Sequence, residues 1–166
     1  MPKSPHLLLA AGNVRKLHTN LVDVLQQNAL DAIEAEIEAN VAQLYSLGRS
    51  HFLFAIRQGN RDWRQKISRL YYAGYNVSRA IRLCVSGEYS TEVSDHKKID
   101  ALPDDFPDRN TYANRLAVLR EDRNLCDYDH VASRGDLVWG VEESVEILDK
   151  FLRAAKKYLR GRGVVI

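Results

Sequence analysis

Apolar residues recur at three- and four-residue spacings through most of the chain. No stretch alternates apolar with polar residues as a half-buried strand does. The pattern predicts five main helices. The first runs from about Pro5 to Gln26, with Leu7, Val14, Leu17, Leu21 and Val24 or Leu25 facing inward. The second runs from about Ala29 to Arg57. Its stripe is Leu30, Ile33, Ile37, Val41, Leu44, Leu47 or Gly48, Phe52 and Ile56, with Glu34, Glu36 and Glu38 on a solvated face. The third runs from about Trp63 to Ser86, with Asp62 as N-cap and Gly87 as terminator. Its stripe is Trp63, Ile67, Leu70, Gly74, Val77, Ile81 and Cys84 or Val85. A glycine inside a helix costs roughly 1 kcal/mol, so Ala73 and Gly74 predict a compensating close approach by another helix. The fourth helix begins near Asn110 or Thr111 and reaches at least Cys126. The fifth runs from about Asp136, its cap, to Leu159, with Leu137, Val141, Val145, Leu148, Leu152, Ala155 and Leu159 inward, and Gly161 and Gly163 closing it.

The prolines agree with these limits. Pro2 and Pro5 sit at the start, and Pro103 and Pro107 bracket one loop, so no helix interior carries the penalty of about 3 kcal/mol that proline imposes. Glu88–Asp108 reads as a long polar connection with one short helix around His96–Leu102. The expectation is a single all-α domain over residues 1–166, an up-down bundle.

Composition narrows the function classes. Of 166 residues, 45% are hydrophobic and 28% charged, an ordinary globular balance. The apolar run Leu7–Ala11 is too short for a membrane span and lacks the rest of a signal peptide, so a cytoplasmic protein without membrane association is expected. Cys84 and Cys126 show no metal or redox spacing and read as buried small hydrophobes. A net charge of +2 does not announce nucleic acid. The basic clusters Arg57, Arg61, Arg64, Lys66, Arg69 and Lys156, Lys157, Arg160, Arg162 read as solvated helix faces. His6, His18 and His51 are isolated, and Tyr71, Tyr72 and Tyr75 suit packing or the lining of a cleft. There is no Glu-x-x-His pair for a di-metal bundle, no phosphate-binding glycine loop and no nucleophile elbow; neither metal nor cofactor is expected.

The anomaly lies on the fourth helix. Its stripe Tyr112, Leu116, Leu119 continues at 123, 126 and 130, which are Arg123, Cys126 and His130. If the helix persists, Arg123 and His130 share a face about 10 Å apart. A charge on such a seam needs a partner or an opening. Two readings fit. One is a structural ion pair of Arg123 with Asp127, Glu121, Asp122 or Asp129, with His130 as a cap or surface residue. The other is a phosphate site, because a guanidinium fork matches phosphate oxygens and a histidine moves protons near neutral pH. Asn124 and Tyr128 would add polar groups. Such a set suffices to cleave RNA without metal, the arginine stabilising charge on phosphorus.

Three stretches then resemble one family. Leu70-Tyr71-Tyr72-Ala73-Gly74-Tyr75-Asn76-Val77-Ser78-Arg79-Ala80 resembles the HEPN helix with a Tyr-Tyr-Ala pattern followed by Arg-Ala. Asp95-His96-Lys97-Lys98 resembles the His-Lys stretch of several HEPN branches. Arg123-Asn124-Leu125-Cys126-Asp127-Tyr128-Asp129-His130 resembles the HEPN signature of Arg, a polar residue and a later His, here six residues apart, and its Asp-Tyr pair is familiar there too. The resemblance covers about residues 52–160 and leaves a helical extension at about 5–50. It implies a helical bundle that forms a two-fold homodimer and a metal-independent endoribonuclease acting on RNA. By residue it implies Arg123 as phosphate clamp, His130 as acid or base and Asn124 as a positioning group, with Asp127 and Tyr128 supporting. It further implies a toxin or phage-defence setting, with an antitoxin partner, nucleotidyltransferase-like or other. The alternative is a non-catalytic dimerisation or partner-binding module.

Overall fold

The computed structural model describes residues 6–9 and 11–166. Pro2 and Pro5 lie outside the described residues, as do the side chains of His6 and Leu7. Six α-helices are present among them: α1 (His6–Leu9), α2 (Val14–Asn20), α3 (Gln27–Arg57), α4 (Trp63–Ser86), α5 (Arg109–Tyr128) and α6 (Val141–Arg160). Short 3₁₀ turns occupy Asn60–Asp62, Val93–Lys98 and Arg134–Asp136. No strand occurs among the described residues, only an isolated antiparallel bridge between Asn13 and Glu88. The all-α helical bundle expected from periodicity is therefore present. No described helix is long and apolar enough to cross a membrane.

α4 is the helix against which the others pack. It touches α3, α5 and α6, and between Ala73 and Ser78 every residue is buried. A helix buried on all sides belongs to the interior rather than the surface. The close approach expected at its middle is made by two different means. Gly48 of α3 meets α4: a Cβ there would lie 2.6 Å from Val77 Cγ2 and 2.8 Å from the Ala73 carbonyl oxygen. Gly74 receives side chains instead, since its Cβ would lie 2.7 Å from Leu116 of α5 and 3.3 Å from Leu148 of α6. Gly87, at φ +69°, closes α4 in the left-handed conformation that glycine accepts without strain.

The stripes of α3 and α6 hold with local shifts. On α3, Gly48 and Ala55 are buried, whereas Leu47 and Ile56 are exposed. On α6, Val141, Leu148, Leu152, Ala155 and Leu159 are buried as expected, joined by Phe151 and Tyr158, while Val145 and, ahead of the helix, Leu137 are half-buried. Both cysteines are free and buried, as their spacing predicts.

Three boundaries move. The expected first helix is divided at Gly12–Asn13. Asn13 caps α2 by accepting from the Lys16 amide at 2.9 Å, and the Val14 amide donates to the Gly87 carbonyl at 3.1 Å. That cap and tertiary bond compete successfully with helix continuation, and Val24 is left exposed in the turns beyond α2. The short helix expected at His96–Leu102 lies at Val93–Lys98. Asp136 caps the turn before α6 rather than α6 itself, accepting from the Ser133 amide and hydroxyl at 2.7 and 2.8 Å, and α6 starts five residues later. A division at about residue 52 falls inside α3, which runs unbroken to Arg57.

Candidate functional site

On α5 the buried stripe is Tyr112, Leu116, Leu119, Asp122 and Cys126. The acid, not Arg123, takes the innermost place after Leu119. Asp122 is 1% exposed and accepts the backbone amides of Val138 at 2.8 Å and Trp139 at 3.3 Å. Burial raises its pKa, and those two amides only partly offset this. Arg123 is turned one position toward the surface.

The helix ends at Tyr128, without a glycine or proline. Arg64 of α4 supplies the stop: its guanidinium donates to the carbonyls of Cys126 at 2.8 Å, Asp129 at 2.7 Å and Ala132 at 2.5 Å. These include carbonyls that a helix end leaves without intrahelical partners. The Asp129 carboxylate then accepts the amides of Val131 and Ala132. His130 sits in this turn, exposed. The shared helical face expected of Arg123 and His130 is therefore not formed, because α5 stops between them.

What Arg123 does face is an open cleft of about 610 Å³, walled by α4, the Val93–Lys98 turn and α5. Tyr71, His96, Lys97, Arg120, Arg123 and Asn124 line it, with Asp100 as the one acid. Each wall is fixed by bonds to the next. Arg120 donates to the Lys97 carbonyl at 3.1 Å, tying α5 to the turn. Asp95, on the turn, accepts both guanidinium nitrogens of Arg82 at 2.9 Å and the Tyr75 hydroxyl at 3.0 Å, with Arg79 at 3.6 Å. The His96 ring stacks on Tyr75, centroids 4.2 Å apart and planes 13° from parallel, and its Nδ1 lies 2.6 Å from the Tyr71 hydroxyl.

Arg123 is held along the same wall. Its Nε lies 2.7 Å from Asp127 Oδ2 in an i,i+4 ion pair whose angle makes no hydrogen bond. Its terminal nitrogens donate to the Tyr72 hydroxyl and the Asn124 side-chain oxygen, both at 3.2 Å. Its guanidinium carbon is 5.3 to 5.8 Å from the rings of Tyr71, Tyr72 and Tyr128. Asn124, Asp127 and Tyr128 thus gather at Arg123, and His130 does not line the cleft.

The electrostatics follow from this packing. Burial lowers the pKa of His96, the Arg123 and Arg79 charges lower it further, and Asp95 opposes them. His96 is therefore neutral at neutral pH. Burial pushes the Tyr71 phenol up to about 12, so it keeps its proton. Burial raises Asp95, but its bonds to Arg82 and Tyr75 and the Arg79 charge bring it below the usual carboxylate range. Arg123 rises despite burial, because Tyr72 and Asp127 stabilise its charge. The cleft presents two guanidiniums and an ammonium against one carboxylate, beside a neutral imidazole. Such a surface can bind an anion and accept a proton. Among the described residues no three His, Cys, Asp or Glu side chains converge as metal ligands.

His96, Lys97 and Arg120 are cleft residues that sequence reasoning left without a role, although the Asp95–Lys98 stretch was a visible signal. Arg64 looked like part of a solvated basic face and is instead structural. No protein-family model, curated protein or solved structure matches the chain.

Proposed function

We propose that the chain is a metal-independent endoribonuclease of HEPN type, acting on RNA in the cytoplasm as a homodimer. The observation that carries this reading is Arg123, held at the wall of a positively charged cleft with Arg120, Lys97 and a histidine beside it. An arginine fork with a second cation matches the non-bridging oxygens of a phosphodiester. The Tyr-Tyr-Ala helix supplies Tyr71 and Tyr72, and the Asp-Tyr pair flanks Arg123, so the stretches that carry the resemblance meet at one place. A toxin or defence effector held by an antitoxin protein is the setting the resemblance favours. A two-fold partner would add a second set of signature residues, including His130, near the cleft.

A non-catalytic interaction module is the second reading. It draws on the ion pair of Arg123 with Asp127, a purely structural use of the signature arginine.

Purified protein incubated with RNA in the presence of a chelator decides between them. Cleavage lowered about 10²–10³-fold by Arg123→Ala, in a variant that stays folded, supports the ribonuclease. An unaltered protein that leaves every RNA intact refutes it and favours the module.

A further inference from the structure

We infer that His96, rather than His130, is the group that moves the proton at this cleft, and that Tyr71 sets its ring for the task. The inference rests on the ribonuclease reading and identifies its base.

Position comes first. His96 and Arg123 line one cleft of a single chain, whereas His130 lies in the exposed turn past the end of α5. Orientation comes second. The His96 ring is pinned on one face by Tyr75 at 4.2 Å and at Nδ1 by Tyr71 at 2.6 Å. Tyr75 is in turn fixed by Asp95, which Arg82 grips with two nitrogens. This is more support than a surface histidine receives. A ring fixed by a buried network is what a general base needs, because proton transfer depends on the placement of one lone pair.

Base action requires the tautomer in which Nδ1–H donates to the Tyr71 oxygen; Nε2 then carries the free lone pair, and no described group bonds it. The charged surroundings favour the neutral ring. Arg79 on α4 and Arg120 and Arg123 on α5 face it, Lys97 is its neighbour, and the opposing charges are Asp95 and Asp100. Tyr71 and Tyr75 are uncharged. Burial adds to the same effect.

The step balances without a co-reactant other than water. Nε2 takes the proton of a ribose 2′-hydroxyl, and that oxygen forms a bond to phosphorus. The bond from phosphorus to the 5′-oxygen breaks, and that oxygen takes a proton from water in the open cleft. The imidazolium returns its proton to the resulting hydroxide. The products are a 2′,3′-cyclic phosphate and a 5′-hydroxyl. Arg123 and Arg120 hold the non-bridging oxygens throughout.

The test compares cleavage by unaltered protein, His96→Ala, His96→Gln and His130→Ala, with binding of an uncleavable 2′-deoxy analogue as a second readout. His96→Gln keeps a hydrogen-bonding partner for Tyr71 and so guards against loss of fold. Both His96 variants should lose about 10²-fold or more of cleavage and still bind the analogue. Added imidazole should restore cleavage to His96→Ala, with a pH dependence that follows the imidazole. Tyr71→Phe should lower kcat more than KM and displace the acidic limb of the pH profile. Cleavage that survives in the His96 variants and vanishes in His130→Ala overturns the inference but leaves the ribonuclease standing. Loss in His96→Ala together with analogue binding, without imidazole rescue, assigns a structural role and also overturns it. An unaltered protein that cuts no RNA fails at the first arm and removes both readings.

Discussion

Arg82 on α4 and Arg123 on α5 each pair with a carboxylate, and they are used in opposite ways. Arg82 and Asp95 are 6% and 2% exposed and joined by two parallel bonds of 2.9 Å. Arg123 and Asp127 are 17% and 30% exposed and touch through one nitrogen. The first pair is closed: its carboxylate is saturated by Arg82, Tyr75 and Arg79. The second leaves a guanidinium facing an open cleft. A buried pair fixes geometry, and a half-exposed one can exchange its partner for a ligand.

Asp95→Ala should have the largest effect. It leaves the buried Arg82 charge with only Glu88, 3.8 Å away, and removing one member of such a pair costs about 3–5 kcal/mol, measured as a fall in unfolding free energy in urea. It also frees the turn that carries His96, so cleavage should fall with stability. Arg123→Ala separates the two. Its loss of about 10²–10³-fold in cleavage should come with a stability change within about 1 kcal/mol, since a partly exposed pair contributes little. Asp127→Asn sharpens the contrast. It should cost only about 0.3–0.5 kcal/mol, the worth of an i,i+4 pair, while tightening binding of the RNA analogue. Fluorescence anisotropy should show that gain shrinking as salt rises.

The smallest effect is in pH. The folded pKa of His96 lies below its unfolded value near 6.5, so the native state binds fewer protons there. Its stabilising contribution is present above pH 6.5 and is lost as pH falls below it. His51, lowered by burial and by Arg69, adds to the same window. Asp95 is also lowered, and its contribution is lost only as pH falls below the ordinary carboxylate range. Unfolding free energies across pH should show both losses, with the upper one shallower in His96→Gln.

Local signals were legible in the sequence, and tertiary ones were not. α4 was readable to the residue because Gly87 and the turn before Trp63 are written locally. The stripe of α6 was readable from spacing alone, and the Arg123–Asp127 pair from its separation of four. The end of α5 was not, because Arg64, more than sixty positions away, supplies it. The burial of Asp122 instead of Arg123 was hidden for the same reason: its partners are the amides of Val138 and Trp139. His96 was visible as a motif but not as a wall of the cleft, since Tyr71 lies 25 positions earlier.

The contact of Gly48 with Ala73 and Val77 also bears on the order of folding. α3 and α4 are joined by residues 58–62 alone, so their crossing closes a short loop at little entropic cost. With no side chain between the backbones at Gly48, the two helices cross closely. α6 contacts the same core from the far end of the chain and closes a much longer loop. The hairpin of α3 and α4 is thus the crossing of lowest entropic cost among the contacts on which the cleft rests.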